Sequence, residues 1–420
     1  MLTPDIVSRV IAHCNVCPSR KTLLVPPDIT RAHSGGGALT ALYYQTLTAS
    51  GTHVDILPAL GTHKPMTRAE QLAFFGDIPH SCFLIHNWRS GVTTIGEIPC
   101  HFVHKISMGM FDHVLPVQVS NYITDPSYDR IISIGQVVPH EVVGMANYTK
   151  NIVIGCGGSQ FINASHALGA FFGIEQTLGQ TNTPVRALFD YVQENFLHNL
   201  PLEYVLTVVS NNEIAGLYIG NTRDIYERAA IHSQQLNITY VDTPIQNCVV
   251  YLDESEFHST WLGNKAVYRT RLAMANGGNL LVVAPAVRTF GEDAANDVLI
   301  RKYGYAGREK IIKLCKTQQD LAANLSAAAH LIHGSTDGRF TVTYAAPLLG
   351  RVAVEAVGYR YMEYDKATAI LHGLIPGINV QTNKDITKTQ KNANGNSIRG
   401  NNDYYYIPNP AIGLWKARNL

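Results

Sequence analysis

Short β-branched runs bounded by glycine or proline alternate with amphipathic stretches along this chain, and that alternation leaves few folds open. Residues 22–25, 54–57, 83–86, 130–134, 152–154 and 204–209 read as strands, and 38–49, 159–172, 184–194 and 223–235 as helices. Helices between strands are the connections that parallel pairing requires. The pattern therefore predicts an α/β fold, a mostly parallel sheet covered by helices. After Asn237 it restarts with strands over 248–252 and 280–283 and helices over 262–275 and 320–333. With 420 residues available for two cores, two α/β domains are expected. Asp242-Thr243-Pro244 interrupts the pattern, so the domains are placed at 1–240 and 241–402, with a small-ligand cleft expected between them. Residues 379–403, rich in Asn, Lys, Thr and Gly, read as a mobile loop. The aromatic tail of about 403–420 needs a docking surface, with the first domain as the candidate.

Composition narrows the function classes. The 33 basic and 32 acidic residues leave a net charge of +1, which gives no footprint for nucleic acid or an anionic membrane surface. No apolar run is long enough to cross a bilayer and the N-terminus lacks a signal pattern, so a cytoplasmic protein is expected. The seven cysteines are scattered and odd in number, unlike a disulfide framework. Cys14 and Cys17 have no second pair at zinc-site spacing and read as structural. A small-molecule partner is the class that remains, and 17 histidines offer metal ligation and proton transfer near neutral pH.

Three loops gather the residue types that such chemistry needs. Asp28, Thr30 and Arg31 lie after the first strand and before the Gly35-Gly36-Gly37 turn, at the end of a sheet where ligands bind. Consecutive glycines at a helix start let backbone amides approach an anion. Neither the dinucleotide nor the Walker pattern is present. His63, in Gly61-Thr62-His63-Lys64-Pro65, follows the next strand and so stands on the same rim as Arg31, pairing a general base with a carboxylate-binding guanidinium. His140 follows a third strand, and the chain then runs through Lys150 and Gly155-Cys156-Gly157-Gly158 to a helix bearing His166. Singly, each of these residues also fits an ordinary structural place; as a set they fit one less well. His330 and His333 lie near a helix end. In the second domain Lys265 follows Trp261-Leu262-Gly263-Asn264 and is a candidate for a substrate carboxylate, although lysine on a helix is usually solvated.

Together these motifs resemble the lactate racemase family over most of the chain. The family's Asp-x-Thr-Arg loop is similar to Asp28 through Arg31, its Gly-x-His-[Arg/Lys]-Pro element to Gly61 through Pro65, and its His, Lys, His series to His140, Lys150 and His166. The resemblance implies a nickel-pincer nucleotide, that is, the nickel complex of pyridinium-3,5-bisthiocarboxylic acid mononucleotide. It would be linked through a thioamide to Lys150, with nickel on His166 and phosphate on the glycine-rich loops, Gly35, Gly36 and Gly157 among them. His63 and His140 would be the acid/base pair, Arg31 and Lys265 would bind substrate, and Asp28 and Thr30 would help fix the site. Cofactor-biosynthesis proteins are then implied partners, and oligomeric state stays open.

The implied activity is racemisation or epimerisation at C2 of a 2-hydroxy acid by reversible hydride transfer. Trp261-Leu262 stands where the family has Tyr-Gln, and His33 replaces the proline after Asp-x-Thr-Arg. With His86, Trp88 and Arg89 adding polar groups and an aromatic face, a sugar acid such as gluconate is the expected substrate. The alternatives are a smaller hydroxy acid of the lactate, malate or aryl-lactate type, or a zinc hydrolase or non-catalytic nucleotide-binding protein.

Overall fold

The computed structural model describes residues 2–16, 18–210, 212–372, 374, 404–411 and 413–418. They form two compact units, Met1–Phe172 with Gln176–Asn237, and Gly173–Glu175 with Ile238–Leu420. Cys17 and the loop expected over 379–403 lie outside the described residues.

In the first unit β1 (Lys21–Val25) pairs in parallel with β2 (His53–Ile56), while β3 (Val92–Ile98) and β4 (Leu115–Ser120) form a separate antiparallel pair. The strand β5 (Arg130–Gln136) is followed by a two-residue antiparallel ladder, β6 (Pro139–His140) with β7 (Gly144–Met145), and later by β8 (Leu202–Ser210) and β9 (Glu213–Gly220). The sheet runs β2-β1-β5-β8-β9, and β9 alone is antiparallel. All seven residues of β5 are buried, as a parallel strand covered on both faces requires. Successive side chains point to opposite faces: Ile131 packs with Leu23, Val25 and Leu206, and Ile132 and Ile134 pack with Leu24, Leu39 and Tyr43. Each such aliphatic side chain contributes about 1.5–3 kcal/mol by leaving water.

In the second unit β10 (Ile238–Val241), β11 (Ile245–Tyr251), β12 (Met274–Val283), β13 (Thr341–Ala345), β14 (Arg360–Tyr361), β15 (Tyr405–Ile407) and β16 (Leu414–Ala417) make two assemblies. Five of them form an all-parallel sheet in the order β14-β13-β12-β11-β15, and β10 pairs with β16. The tail therefore docks within the second unit rather than on the first. Tyr405 and Ile407 are buried beside β11, and Leu414 and Ala417 are buried in the pair with β10. Its alternating apolar residues suit an edge strand as well as a surface patch.

Other expectations also change. Residues 152–154 belong to a helix, Thr149–Val153, and its C-cap rather than to a strand, since a short apolar run has the same composition in either state. Residues 83–86 make only a single bridge, Ile56 with Phe83. The helix expected over 262–275 breaks at Asn264 into Thr260–Gly263 and Lys265–Thr270, and β12 begins at Met274. Among the described residues no helix is long and apolar enough to cross a membrane.

The N-terminal end of β5 is anchored by charge. Arg130, buried, donates through Nε to Glu203 on β8 at 2.8 Å and through Nη2 to the carbonyl of His13 at 3.1 Å, with His13 Nε2 2.9 Å from the same Nη2 and 3.3 Å from Glu203 Oε2. This ties the helix Pro4–Val16 to the sheet. Burial alone would raise the Glu203 carboxyl, but the bonds and charges of His13 and Arg130 outweigh it and hold it at about 2 instead of 4.5. A depressed carboxylate stabilises the fold above its unfolded pKa and loses that contribution as pH falls through the folded one. Denaturant titrations should show stability declining between pH 4.5 and about 2. Glu203→Gln should cost roughly 2 kcal/mol at pH 7, allowing for partial exposure, and should flatten that acid slope.

Candidate active site

Three parallel strands end on one rim, and each delivers part of the site. The bridge from Pro27 to Ala59 extends the β1–β2 pairing past the strand ends. Asp28 then caps the 3-10 helix Ile29–Ser34, accepting from the Thr30 amide at 3.1 Å and the Thr30 hydroxyl at 2.5 Å. Its other oxygen accepts from Nδ1 of His63 at 2.6 Å. Burial raises the Asp28 carboxyl, yet the His63 and Thr30 bonds and the Arg31 charge win, so it sits below the usual carboxylate range. With Nδ1 committed, His63 keeps Nε2 for proton exchange, and its side chain is 54% exposed. Arg31 is half-buried where the 3-10 helix kinks, and its guanidinium makes no hydrogen bond or ion pair among the described residues.

Lys150 arrives by a strained route. Asn147 and Tyr148 adopt consecutive positive φ values of 66° and 59°, a conformation that costs non-glycine residues about 1–3 kcal/mol each. The Asn147 side chain accepts from the Tyr148 amide at 2.7 Å, and Tyr148 lies against Tyr204 and Tyr226 with ring centroids 4.4 and 5.4 Å apart. Gly135 makes room for this turn, since a Cβ there would meet Asn147 Nδ2 at 2.0 Å. The helix Thr149–Val153 is then pinned to the sheet by Asn151, whose amide donates to the Val25 carbonyl at 3.1 Å and Ser133 Oγ at 2.9 Å.

The Lys150 amine makes no hydrogen bond or ion pair among the described residues. Desolvation, then the Arg31 charge, pulls it down from 10.5 to about 8. His140 is buried, and its Nδ1 accepts from the Val142 amide at 3.1 Å, with Glu141 Oε2 3.7 Å away. Desolvation, with Lys150, Arg31 and His166 adding to it against Glu141, keeps this ring well below its ordinary pKa. His166, on the helix Ser159–Phe172, donates Nδ1–H to the Ile162 carbonyl at 2.7 Å. Burial lowers it as well, opposed by that carbonyl. A histidine whose Nδ1 is held by a carbonyl presents Nε2 as a metal ligand.

The structure thus brings Asp28, Thr30, Arg31, His63, His140, Lys150 and His166 into one electrostatically connected group. Sequence reasoning missed Glu141, which raises the basicity of His140, Lys150 and His166 alike; adjacency to His140 was the available signal. The glycines have protein neighbours of their own. A Cβ would meet Ile214 at Gly35, Pro27 at Gly36 and the Val153 carbonyl at Gly157. His86 is buried and donates Nε2–H to the Gly157 carbonyl at 3.0 Å. Trp88 carries the Arg89 guanidinium 3.8 Å from its ring centroid. In the second unit, Trp261 stacks on His330 at 4.5 Å and Lys265 Nζ lies 3.5 Å from Glu256 Oε1. A cavity of about 450 Å³ lined by Tyr148, Asp190, Gln193 and Arg223 includes none of the expected site residues.

Residues 11–178 match the lactate racemase N-terminal domain. No curated protein matches the sequence. Among solved structures, a Thermotoga maritima protein from a structural-genomics programme is 22% identical, with 99% of each chain covered and a TM-score of 0.80. The lactate racemase apoprotein of Thermoanaerobacterium thermosaccharolyticum is 15% identical, with 98% of this chain and 92% of that one covered and a TM-score of 0.71. At these identities the likeness speaks to the two-domain α/β fold alone, while residues 11–178 carry the similarity to the lactate racemase N-terminal domain.

Proposed function

We propose that this protein inverts the C2 stereocentre of a 2-hydroxy acid, with a sugar acid such as gluconate as the favoured substrate, using a nickel-pincer nucleotide joined to Lys150. The observation that carries this reading is the state of Lys150. A half-buried amine without a hydrogen-bonding partner among the described residues, with a pKa lowered to about 8, is an activated nucleophile suited to acylation. His166 offers Nε2 as one nickel ligand beside it. Among the described residues no three His, Cys, Asp or Glu side chains gather as a metal cage, so a metal on His166 would take its other donors from a bound group. A zinc site built on His63, His140 and His166 has no such cluster to rest on.

Removing the C2 proton of a 2-hydroxy acid would leave a poorly stabilised carbanion. The group, when bound, supplies a hydride-accepting pyridinium carbon and so avoids that species. The chain's own residues then have three tasks. Arg31 holds the substrate carboxylate through its guanidinium fork, with Lys265 proposed as a second cation. His63, oriented by Asp28, exchanges the hydroxyl proton, and His140 lies on the same rim as its counterpart. Trp88 and Trp261, each beside polar side chains, offer flat faces to the C–H surfaces of a polyhydroxylated acid. Cofactor-biosynthesis proteins would be transient partners, in the cytoplasm.

Intact mass of protein produced with the cofactor-synthesis machinery should show a nucleotide-sized adduct that Lys150→Ala lacks. An active enzyme without the adduct would end the proposal. In protein made without that machinery, acylation of Lys150 by an amine-directed ester should rise through about pH 8, the deprotonated amine being the nucleophile; a midpoint above pH 10 would show an ordinary lysine. In loaded enzyme, His63→Ala should cut inversion by roughly 10²–10⁴-fold and Arg31→Ala by about 10²-fold. Chiral chromatography of a panel containing aldonates, lactate, malate and aryl-lactates reads both the loss and the substrate class.

A further inference from the structure

One helical stripe of the first unit borders a cavity. The helix Pro184–Val192 runs on into a single π turn over Gln193–Leu197, a widened geometry that is rare overall and common at functional sites. Asp190, Gln193, Glu194 and Leu197 stand close to the i, i+3, i+4 and i+7 spacing of one helix face, and all four line the cavity of about 450 Å³. Thr222 and Arg223, where β9 gives way to the helix Arg223–Asn237, line it as well. A space of this size suits one small organic molecule.

What each polar group has already committed decides what the cavity can hold. Asp190 is spent, since Arg223 Nη1 donates to its two carboxylate oxygens at 2.9 and 2.8 Å. The Gln193 side-chain carbonyl accepts from the Tyr204 hydroxyl at 2.6 Å and the Thr149 hydroxyl at 3.1 Å. Its amide nitrogen keeps two hydrogens to donate, with no hydrogen bond among the described residues. The carboxylate of Glu194, an exposed residue, makes no hydrogen bond or ion pair among the described residues. His198 lines the same edge and adds a ring nitrogen as donor or acceptor. Leu197 and Leu202 are buried and supply apolar surface. The cavity therefore combines an unpaired carboxylate, an amide donor and an apolar lining. An unpaired carboxylate favours a cation and opposes an anion.

We propose that this cavity binds a small primary amine carrying an amide carbonyl and an apolar side chain, the chemistry of an amino-acid amide. The ammonium pairs with Glu194, the carbonyl oxygen accepts from the Gln193 amide, and the apolar part packs on Leu197 and Leu202. Binding there has a consequence for the neighbouring turn. Tyr148 borders the cavity and Gln193 holds Thr149, and these two residues immediately precede Lys150. A ligand that fixes Gln193 steadies the start of the helix Thr149–Val153, and local opening of such a segment is what amide exchange reads. The site goes beyond the hydroxy-acid reading and does not rest on it.

Phenylalaninamide added to the full chain labelled at leucine methyl groups tests this. Saturable shifts are expected at the methyls of Leu197, Leu200 and Leu202, with a Kd of about 0.1–5 mM for a ligand of this size. Amide exchange over 148–153 should slow in parallel. Hydrocinnamamide, which lacks the ammonium, should bind about three- to tenfold more weakly, and Glu194→Gln should weaken phenylalaninamide by a similar factor. Thr222→Trp, at an exposed position bordering the cavity, should abolish binding by filling the space. Thermal melting near wild type shows that each variant is folded, and Glu194→Gln decides the matter alone if the tryptophan variant is not. Absence of saturable shifts up to about 20 mM phenylalaninamide overturns the site. Equal affinity for the two amides, or no effect of Glu194→Gln, shows an apolar hollow without cation recognition and overturns the ligand class. Binding that persists in Thr222→Trp places the ligand elsewhere, and unchanged exchange over 148–153 overturns the link to the Lys150 helix.

Discussion

The two-sided burial of β5 is the constraint from which the rest of the first unit follows. A strand covered on both faces cannot slide by one residue without exchanging its whole apolar set between two packed clusters. Ile131 on one face and Ile132 and Ile134 on the other therefore fix its register against β1 and β8. That register sets where Val25 and Ser133 lie, and Asn151 hydrogen-bonds to both. Lys150 is positioned by its neighbour's grip on the end of β1 and the middle of β5. The strain at Asn147 and Tyr148 persists because Tyr204 and Tyr226 hold the Tyr148 ring and Gly135 leaves the Asn147 amide its space.

On this frame the electrostatics are balanced rather than neutralised pair by pair. Arg31 and Lys150 bring two positive charges close to His140 and His166, and Asp28 and Glu141 bring two negative ones. Burial amplifies each of these interactions relative to water. Lys150 is pushed toward its free-amine form because desolvation and Arg31 together outweigh Glu141 and Asp28. Asp28 stays ionised for the converse reason, its hydrogen bonds outweighing its own desolvation. One group of neighbouring charges can hold an amine shifted toward its neutral form and an ionised carboxylate together only if their surroundings differ in this way.

Much of this was legible in the chain. Residues 22–25, 54–57, 130–134 and 204–209 carry β-branched runs between turn residues, and four strands of the first sheet stand close to those positions. The order of strands and loops in the chain already puts Asp28, His63 and His140 after strand ends. What composition could not give was direction. Residues 152–154 have strand composition but follow a left-handed turn and finish a helix instead. Gly35, Gly36 and Gly157 each have a close protein neighbour, Ile214, Pro27 and the Val153 carbonyl, where a Cβ would lie, which the sequence alone did not reveal. The alternating apolar residues of the tail matched any edge available, and the edge it takes belongs to the second unit. The tautomers of His140 and His166 were beyond sequence altogether, because backbone groups of Val142 and Ile162 set them.

That last point bears on how a fold can persist at 15–22% identity to its solved counterparts. The contacts that aim this site run largely through the main chain. The Gly61 amide donates to the Gly155 carbonyl at 2.8 Å and so ties the His63 loop to the end of the Lys150 segment. Val142 supplies an amide, and Ile162 and Gly157 supply carbonyls, to three histidine rings. A backbone donor or acceptor survives replacement of the side chain it belongs to, provided that the chain keeps its path. The residues that cannot drift are then few: the side chains with chemistry, the small residues such as Gly135 that admit a close approach, and the buried strand that fixes the path. Side chains away from the sheet ends have no such anchor: Trp88 and Arg89 contact each other, so that pair can change while the group around Lys150 stays in place.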